Sequence, residues 1–323
     1  MSMGINKKLQ AGQESTYGTK ASTLTDSMSY LSESFKFDVE KKAEDSLMVS
    51  KTVNGYQVFK YSTSGDFNGI LKPDNVGFLL KQALKEPSNP TLKAATTGVY
   101  KHSFVGLDIQ DVQSSATYTI DRGATVKAYT GCLLDSLKLD SSAGDFVKYT
   151  ASFKGKDEVA GTINSGLTNP SKDAFVFTSA TISVGGASLT KVSDFSFSYS
   201  NALDEGTQTN GTGMYASMPL HGEKAISIDL TAEYDSATET IREDNFKAGA
   251  YAEVILTFTS PDTIETDEPY TVTITMPKVS INTADANVSG KDRIVIKLSG
   301  VATENGGVEP LTVDYYSEKT AKY

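Results

Sequence analysis

The stretch Leu189-Thr-Lys-Val-Ser-Asp-Phe-Ser-Phe-Ser-Tyr-Ser-Asn201 decides how the rest of the chain is interpreted. Its aromatic residues Phe195, Phe197 and Tyr199 alternate with serines. Successive side chains of a β-strand point to opposite faces of the sheet, so this alternation predicts a strand with one buried face and one polar face. A β-rich fold with half-buried strands is therefore expected.

An earlier stretch, Ser34-Phe-Lys-Phe-Asp-Val-Glu40, has the same pattern at a constant offset of 160 residues (35 to 195). A second match has an offset of 145 residues (155 to 300) and aligns Tyr149, Ala151, Phe153 and Gly155 with Ile294, Ile296, Leu298 and Gly300. One alternating strand recurs easily by chance, whereas matches in the same order along the chain favour internal duplication. The alternative is two unrelated sandwich-like units that share only β patterning.

Two stretches have helical rather than strand spacing. The first begins at Pro73 or Asp74 and is stopped by Pro87, and its apolar positions recur every three or four residues at Val76, Leu79, Leu80, Ala83 and Leu84. The second covers residues 238–247, with Ile241 and Phe246 predicted to face inward and Gly249 to end the helix. Each half is thus expected to carry one helix.

The other β-rich runs are predicted strands separated by clusters of Gly, Asp and Ser. They cover residues 56–61, 100–107, 116–120, 131–139, 146–153, 175–177, 180–184, 225–234, 251–259, 271–276 and 278–281. Residues 41–54 are predicted to be a long loop between the first two strands, and Gly185-Gly186 a tight turn. Residues 201–217 are expected to form the corresponding polar loop of the second half.

Composition shifts divide the chain into five segments. The polar residues 1–30 are predicted to form an N-terminal arm, and residues 158–172, which carry glycines and Pro170, a linker. The two domains are then expected at 31–157 and 173–303, followed by a C-terminal tail at 304–323.

The overall composition excludes several classes of protein. The chain has 323 residues, a formal net charge of -10 and a pI near 4.8. A protein that grips nucleic acid by neutralising phosphates is disfavoured, because that mode needs clustered Lys and Arg. The single cysteine, Cys132, allows no intrachain disulfide and is expected to be a small buried apolar residue.

Signals for membranes or secretion are missing from the sequence. No stretch reaches the roughly 18 apolar residues of a membrane span, and the N-terminus lacks the apolar core of a signal peptide. Synthesis and first use in a cytoplasm are expected. The sequons at Asn210 and Asn287 then carry no weight, because glycosylation requires a secretory route.

No motif selects a catalytic, cofactor or metal site. His102 and His221 lie in different halves, and two histidines are too few for a site of several His ligands. Gly211-Thr-Gly213 lacks the strand–helix context of a phosphate loop, and the acidic run at 262–268 lacks the spacing of a calcium loop. We therefore expect no enzyme activity and no cofactor.

The pattern resembles a known family, the major tail tube proteins of long-tailed, non-contractile (siphovirus-type) bacteriophages. The resemblance rests on Glu14-Ser-Thr-Tyr-Gly-Thr19, Lys72-Pro-Asp-Asn-Val-Gly-Phe-Leu-Leu80, Tyr129-Thr-Gly-Cys-Leu-Leu-Asp-Ser-Leu-Lys-Leu139 and the stretch from Leu189 to Asn201. Each is a loose motif of structural residues. The specificity lies in their order, which spans most of the chain.

The resemblance implies a mainly β fold with minor α content, in which two tandem β-sandwich domains are each flanked by one helix. Family members assemble into stacked six-fold rings, and an inter-subunit β-barrel lines the DNA channel. A long loop and the chain termini bridge successive rings. Residues 226–234 and 251–259 are candidate barrel strands, with 56–61 and 117–120 as their first-half partners.

Duplication changes the expected ring, because three chains with two domains each would form a pseudo-hexamer; six chains remain the alternative. The resemblance also implies tape measure, tail terminator and distal tail proteins as partners, a location in the virion, no membrane, and DNA passing through the lumen without specific binding. Acidic side chains are expected to outnumber basic ones on the channel face. The competing interpretations are an adhesive or receptor-binding β-sandwich of a virion or cell surface, and an enzyme.

Overall fold

Strands make up most of the computed structural model, which describes residues 7–44, 55–108, 110–288 and 293–323. The first half of this described chain contains β1 (Leu9–Gln13), β2 (Asp26–Met28), β3 (Ser32–Glu33), β4 (Lys36–Ala43), β5 (Tyr56–Ile70), α1 (Pro73–Ala83), β6 (Thr91–Leu92), β7 (Tyr100–Val105), β8 (Ala116–Asp121), β9 (Val126–Ser142), β10 (Lys148–Gly155) and β11 (Asp157–Ala160). The second half contains β12 (Ala180–Val184), β13 (Ala187–Leu189), β14 (Val192–Ser200), β15 (Ala225–Glu233), α2 (Ser236–Ile241), β16 (Ala252–Glu265), β17 (Glu268–Ala286), β18 (Val295–Ala302) and β19 (Thr312–Ser317).

Eight antiparallel strands form a central sheet in the order β4–β5–β10–β9–β14–β15–β18–β17. The first four strands belong to the first half of the chain and the last four to the second half. The halves meet where β9 pairs with β14, with Leu139 opposite Phe197. The stretch that begins the sequence analysis therefore lies at the middle of the sheet.

The long strands β9 and β17 each leave the central sheet and enter an outer sheet. The first part of β9 pairs with β8 and β11, β8 pairs with β1, and β1 pairs with β2. The first part of β17 pairs with β16 and β19, β16 pairs with β12, and β12 pairs with β13. The second half thus repeats the pairing order of the first.

The register of the central sheet connects the residues that the two sequence offsets align. Phe37 lies opposite Thr63, which lies opposite Gly155 in β10. In the second half, Phe197 lies opposite Ile228, which lies opposite Gly300 in β18. The offsets of 160 and 145 residues therefore relate positions in the same row of each half-sheet.

The buried aromatic contacts follow the same correspondence. The ring of Phe35 lies 5.7 Å from that of Tyr118 in β8, and the ring of Phe195 lies 5.3 Å from that of Phe258 in β16. In both halves an aromatic residue of the alternating stretch therefore packs against an outer strand. Buried residues of both halves form one continuous apolar core.

The stretch from Leu189 to Asn201 is not one strand, which differs from the prediction. β13 ends at Leu189 in the outer sheet, and β14 begins at Val192 in the central sheet. The chain changes sheets at Thr190 and Lys191, and this change depends on partners that a local pattern does not reveal. The predicted turn at Gly185 and Gly186 is confirmed, with φ of +60° and +82°.

The segments assigned to an arm and a tail are part of the sheets. β1 and β2 lie within residues 1–30, and β19 lies within residues 304–323. Several apolar residues in the described part of this N-terminal segment are buried, among them Leu9, Ala11, Leu24 and Met28. The predicted linker also begins inside β11, so only its later residues are irregular.

Several strands are longer than the sequence pattern indicates. The run at 56–61 extends to Ile70, and the two runs at 271–276 and 278–281 form the single strand β17. The loop predicted at 41–54 is wrong at residues 41–43, which belong to β4 because they pair with β5, and residues 45–54 lie outside the described part of the chain.

The two helices agree with their predicted positions, but α2 differs in form. α1 starts at Pro73, as predicted. α2 ends at Ile241 and continues as a π-helical turn over Arg242–Lys247. The buried position of Ile241 is confirmed, whereas the inward position predicted for Phe246 is wrong, because the π turn leaves its side chain 36% exposed.

Candidate channel and assembly surfaces

The central sheet has one apolar face and one polar face, and the apolar face is covered. Phe195, Phe197 and Tyr199 of β14 are buried, as are Ile226 and Ile228 of the neighbouring strand β15. Residues directly opposite each other on antiparallel strands share a face, so the serines between these residues line up across the sheet. This exposed side is called the polar face below.

Small hydroxyl side chains dominate the polar face. Its serines and threonines include Ser62, Ser64, Ser136, Ser142, Thr150, Ser152, Ser196, Ser198, Ser200, Ser227, Thr231, Ser280, Thr283 and Ser299. Because these side chains are short, few of them protrude far from the face. Hydroxyl groups also keep it wet, because each donates to and accepts from water.

The charges on the polar face nearly balance. Its acidic residues are Asp38, Glu40, Asp66, Asp140, Asp194, Asp229, Glu233 and Asp285, and its lysines are Lys36, Lys42, Lys60, Lys138, Lys148, Lys154 and Lys297. Acidic residues are only slightly more numerous.

Each lysine of the polar face has a carboxylate close by. Lys36 lies 3.0 Å from Asp38, and Lys154 lies 2.8 Å from Glu205 in the 201–224 loop. The hydrogen bond from Lys154 lowers the pKa of the Glu205 carboxyl below its ordinary value. The other pairs are Lys42 with Glu40, Lys60 with Glu205, Lys138 with Asp140, Lys148 with Asp145, and Lys297 opposite Asp285.

Both ends of the central sheet are open. Among the described residues, β4 pairs with β5 on one side and with no strand on the other. At the opposite end, within the described ranges, residues 280–286 of β17 pair only with β18. Unpaired N–H and C=O groups along such edges are ready to pair with another strand. Exposed apolar side chains accompany these edges, with Val39 at 38% and Val288 at 71%.

The loop after β14 folds back onto the first half. The Tyr61 N–H donates to the Met214 carbonyl at 2.8 Å, and the rings of Tyr61 and Tyr215 lie 5.4 Å apart. The Gln208 side-chain amide donates to the Phe59 carbonyl at 2.6 Å. This loop therefore fastens the second half to the β4–β5 ribbon of the first half.

The segment from β19 to Tyr323 covers α1. β19 pairs with β7 of the first half, and the Tyr315 hydroxyl donates to the Pro73 carbonyl at 2.7 Å. The Tyr323 ring fills the space where a Cβ on Gly77 would lie, at 2.1 Å. A second-half segment thereby completes the burial of the first-half helix.

The two histidines have separate partners and serve as internal contacts. His102 is fully buried, with Nδ1 2.7 Å from Glu86 Oε1 and Nε2 3.0 Å from the Lys319 carbonyl oxygen. His221 Nε2 lies 3.0 Å from the Asp111 carbonyl oxygen. Both histidines help to attach segments that are distant in sequence.

The other candidate residues are also dispersed. Cys132 is buried, and burial raises the pKa of its thiol well above the ordinary value. Gly213 lies in the 201–224 loop, and the acidic run accepts hydrogen bonds from a distant segment, such as that from the Thr97 hydroxyl to Glu265 at 2.6 Å. Within the described ranges, no group of three or more His, Cys, Asp or Glu residues has the geometry to hold a metal ion.

Glu14 was not singled out as a site residue, yet it organises the turn between β1 and β2. Its Oε1 accepts from the Thr117 hydroxyl and the Gly131 N–H, each at 2.8 Å. Its Oε2 accepts from the Gly18 N–H at 2.9 Å and the Ser115 hydroxyl at 2.8 Å. The only sequence signal was the Glu14-to-Thr19 stretch that carries the family resemblance.

None of the described helices combines the length and the apolar character needed to cross a membrane. In its described part the molecule is a β-sheet protein with a polar face and two sheet edges that are free to pair with another strand. The sequence model of the family described as "Phage tail tube protein" matches residues 4–312, and the chain belongs to that family. Its role is therefore that of a structural component of a phage tail tube. A comparison with curated proteins gives no match.

Proposed function

We propose that this chain carries two tandem tube domains and that three chains close into one pseudo-hexameric ring of the tail tube. The main support for this proposal is the repeated pairing order, in which β4–β5–β10–β9 of the first half corresponds to β14–β15–β18–β17 of the second. The row equivalence of Phe37 with Phe197 and of Gly155 with Gly300 supports it. In this proposal the repeat begins at β1 and at β12, so the arm and the tail belong to the domains.

The width of the barrel favours three chains. With eight central strands per chain, a spacing of about 4.8 Å and a tilt of about 40°, three chains give a barrel with a backbone diameter of about 50 Å. One chain gives only about 16 Å, and six give about 95 Å, by the same geometry. The three-chain barrel encloses a DNA duplex with room for side chains and water.

The polar face is the proposed channel wall, because the apolar face is already occupied by the core. The barrel then uses the central sheet alone. Of the candidate strands from the sequence, β5 and β15 belong to this sheet, whereas β8 and β16 belong to the outer sheets.

DNA that passes through such a channel would interact only weakly with the channel wall. Lysines that are paired with carboxylates do not release counterions by gripping phosphates, and a face of short hydroxyl side chains offers few obstacles. The slight excess of acid adds weak repulsion, which salt screens over about 10 Å. Near-neutrality, rather than strong negative charge, is therefore the proposed reason that DNA slides.

Other tail proteins are proposed as partners through family membership alone. The tape measure protein would occupy the lumen before DNA, and the terminator and distal tail proteins would meet the two ends of the tube.

Electron microscopy of the purified chain tests this function. We expect tubes or stacked rings at high protein concentration, with three chains per ring when the rings are resolved by cryo-electron microscopy. Six chains per ring would overturn the three-chain arrangement. A chain that stays monomeric or trimeric without polymerising would favour the adhesive alternative.

A further inference from the structure

We propose that neighbouring chains join by pairing the end of β17 in one chain with β4 of the next, antiparallel and with Ala286 opposite Val39. This inference rests on the proposed ring and specifies its contact. It derives from a contact inside the chain, where β9 pairs with β14 and joins the two halves. That contact is called the internal seam, and the proposed one the external seam.

The internal seam supplies the template because its two strands have counterparts at the open edges. β9 and β17 are both long strands that pass from an outer sheet into the central sheet, next to β10 and β18 respectively. β14 and β4 are both alternating strands that precede the neighbouring strands β15 and β5. The open edge of β17 thus corresponds to the edge of β9 that β14 occupies.

The register follows from three rows of the sheet. In the internal seam, Leu137 of β9 lies opposite Ala151 of β10 on one side and opposite Tyr199 of β14 on the other. The counterpart of Ala151 is Ile296, which lies opposite Ala286. The counterpart of Tyr199 is Val39, so the template places Val39 of the next chain opposite Ala286.

Exposure of the side chains agrees with this register. Val39 is 38% exposed, and Val288, which the same register places opposite Phe37, is 71% exposed. Pairing removes these apolar surfaces from water, which favours association. The corresponding internal positions, Tyr199 and Leu139, are already buried.

The charges across the external seam are compatible with the register. It places Glu40 opposite Asp285, and each of these carboxylates has a lysine on its other side, Lys60 and Lys297 respectively. Two like charges directly opposite each other are unfavourable, but the flanking lysines offset the repulsion.

The internal seam is reinforced by a second strand pair outside the central sheet, and the external seam has no such pair. Inside the chain, β19 also pairs with β7, which belongs to the segment between α1 and β8. The corresponding segment between the π turn and β16 is only residues 248–251 and contains no strand. Rings are therefore expected to separate into intact chains before any chain opens between its halves.

Engineered disulfides test the register. The variant Val39→Cys/Ala286→Cys is assembled under reducing conditions, checked for tubes and then oxidised, with Cys132 left in place because it is buried. We expect covalent dimers and closed trimers on non-reducing gels. The matched control Val39→Cys/Val288→Cys is two residues out of register, where the Cα atoms lie about 7–8 Å apart and a disulfide is unfavourable.

A measurement on the unmodified chain covers the case in which the cysteines block assembly. Amide hydrogen exchange in residues 36–43 and 279–286 should slow at least tenfold on passing from monomer to tube. Tubes without this protection, or tubes in which the control pair crosslinks better than Val39 with Ala286, would overturn the external seam and leave the tube function standing. A native chain that forms no tubes would overturn the proposed function itself.

Discussion

The two helices hold the same place in the order of their halves, yet the rest of the chain treats them differently. α1 is almost entirely buried, covered by β19 and by Tyr323 from the second half. In α2 only Thr238 and Ile241 are buried, and the adjoining Phe246 and Tyr251 are 36% and 47% exposed. Each helix is thus buried to the extent that a neighbouring half of the same chain covers it.

The difference indicates that the burial of a helix in this fold depends on the half beside it. The first half has its neighbour in the same chain. In the proposed ring, the neighbour of the second half belongs to the next chain. The exposed surface around α2 then lies beside the external seam, where a single chain is incomplete.

The strongest test of the comparison is truncation within the helices. Leu79→Ala in α1 removes a side chain that is 1% exposed and should lower the free energy of unfolding by about 4 kcal/mol. Phe246→Ala beside α2 should change it by less than about 0.5 kcal/mol. Urea unfolding of both variants as monomers measures the difference, and equal losses would break the comparison.

The hairpins that open the two halves offer the second test. Glu14→Ala removes a carboxylate that accepts four hydrogen bonds and should cost about 3 kcal/mol, because buried donors lose their partner. The second hairpin depends on a turn with φ of +82° at Gly186, so Gly186→Ala should cost about 1 kcal/mol. Thermal unfolding of both variants gives the ranking, and a larger loss for Gly186→Ala would reverse it.

Removal of the cover of α1 comes third. Tyr323→Ala deletes the ring that lies against Gly77 and 4.8 Å from the His102 ring, and should cost about 2 kcal/mol. Amides of α1 should then exchange faster with solvent. The control Tyr251→Ala, beside α2, should leave exchange in both helices unchanged.

The smallest expected effect concerns the start of α2. Hydrogen bonds from the backbone N–H groups of Thr238 and Ala237 lower the pKa of Asp235. A carboxyl whose pKa is lower in the folded state stabilises the fold above its unfolded pKa of about 3.9, and this contribution is lost as the pH falls through the folded value. Asp235→Ala should therefore lower the urea midpoint slightly at pH 7, and this effect should become smaller as the pH falls below about 3.9. An equal shift at pH 7 and below about pH 3.9 would contradict this origin.

Features with a local period were predictable from the sequence. The alternation around Phe197 gave its buried and polar faces, and the spacing around Leu79 gave α1, because both patterns repeat within one element. The offsets of 160 and 145 residues were also visible in the sequence, and the register confirms that they connect the same rows.

Features that depend on distant partners were not predictable. The change of sheet at Thr190, the pairing of β19 with β7 and the burial of β1 are decided by what lies opposite each strand. Glu14 is a carboxylate among hydroxyl groups and backbone N–H groups that come from three segments, a combination with no sequence signature. The charge balance of the polar face likewise requires the register, since net charge alone does not locate any residue.

The contact between β7 and β19 also determines when the first half can be completed during translation. Ser103 donates to Asp314 across this pair, and the two residues are 211 positions apart in the chain. At about 5–20 residues per second, a ribosome makes β19 roughly 10–40 seconds after β7. During that interval the first half can form its own strands, but α1 stays uncovered. The first half is therefore completed only once β19 of the second half has been translated, which delays assembly until that point.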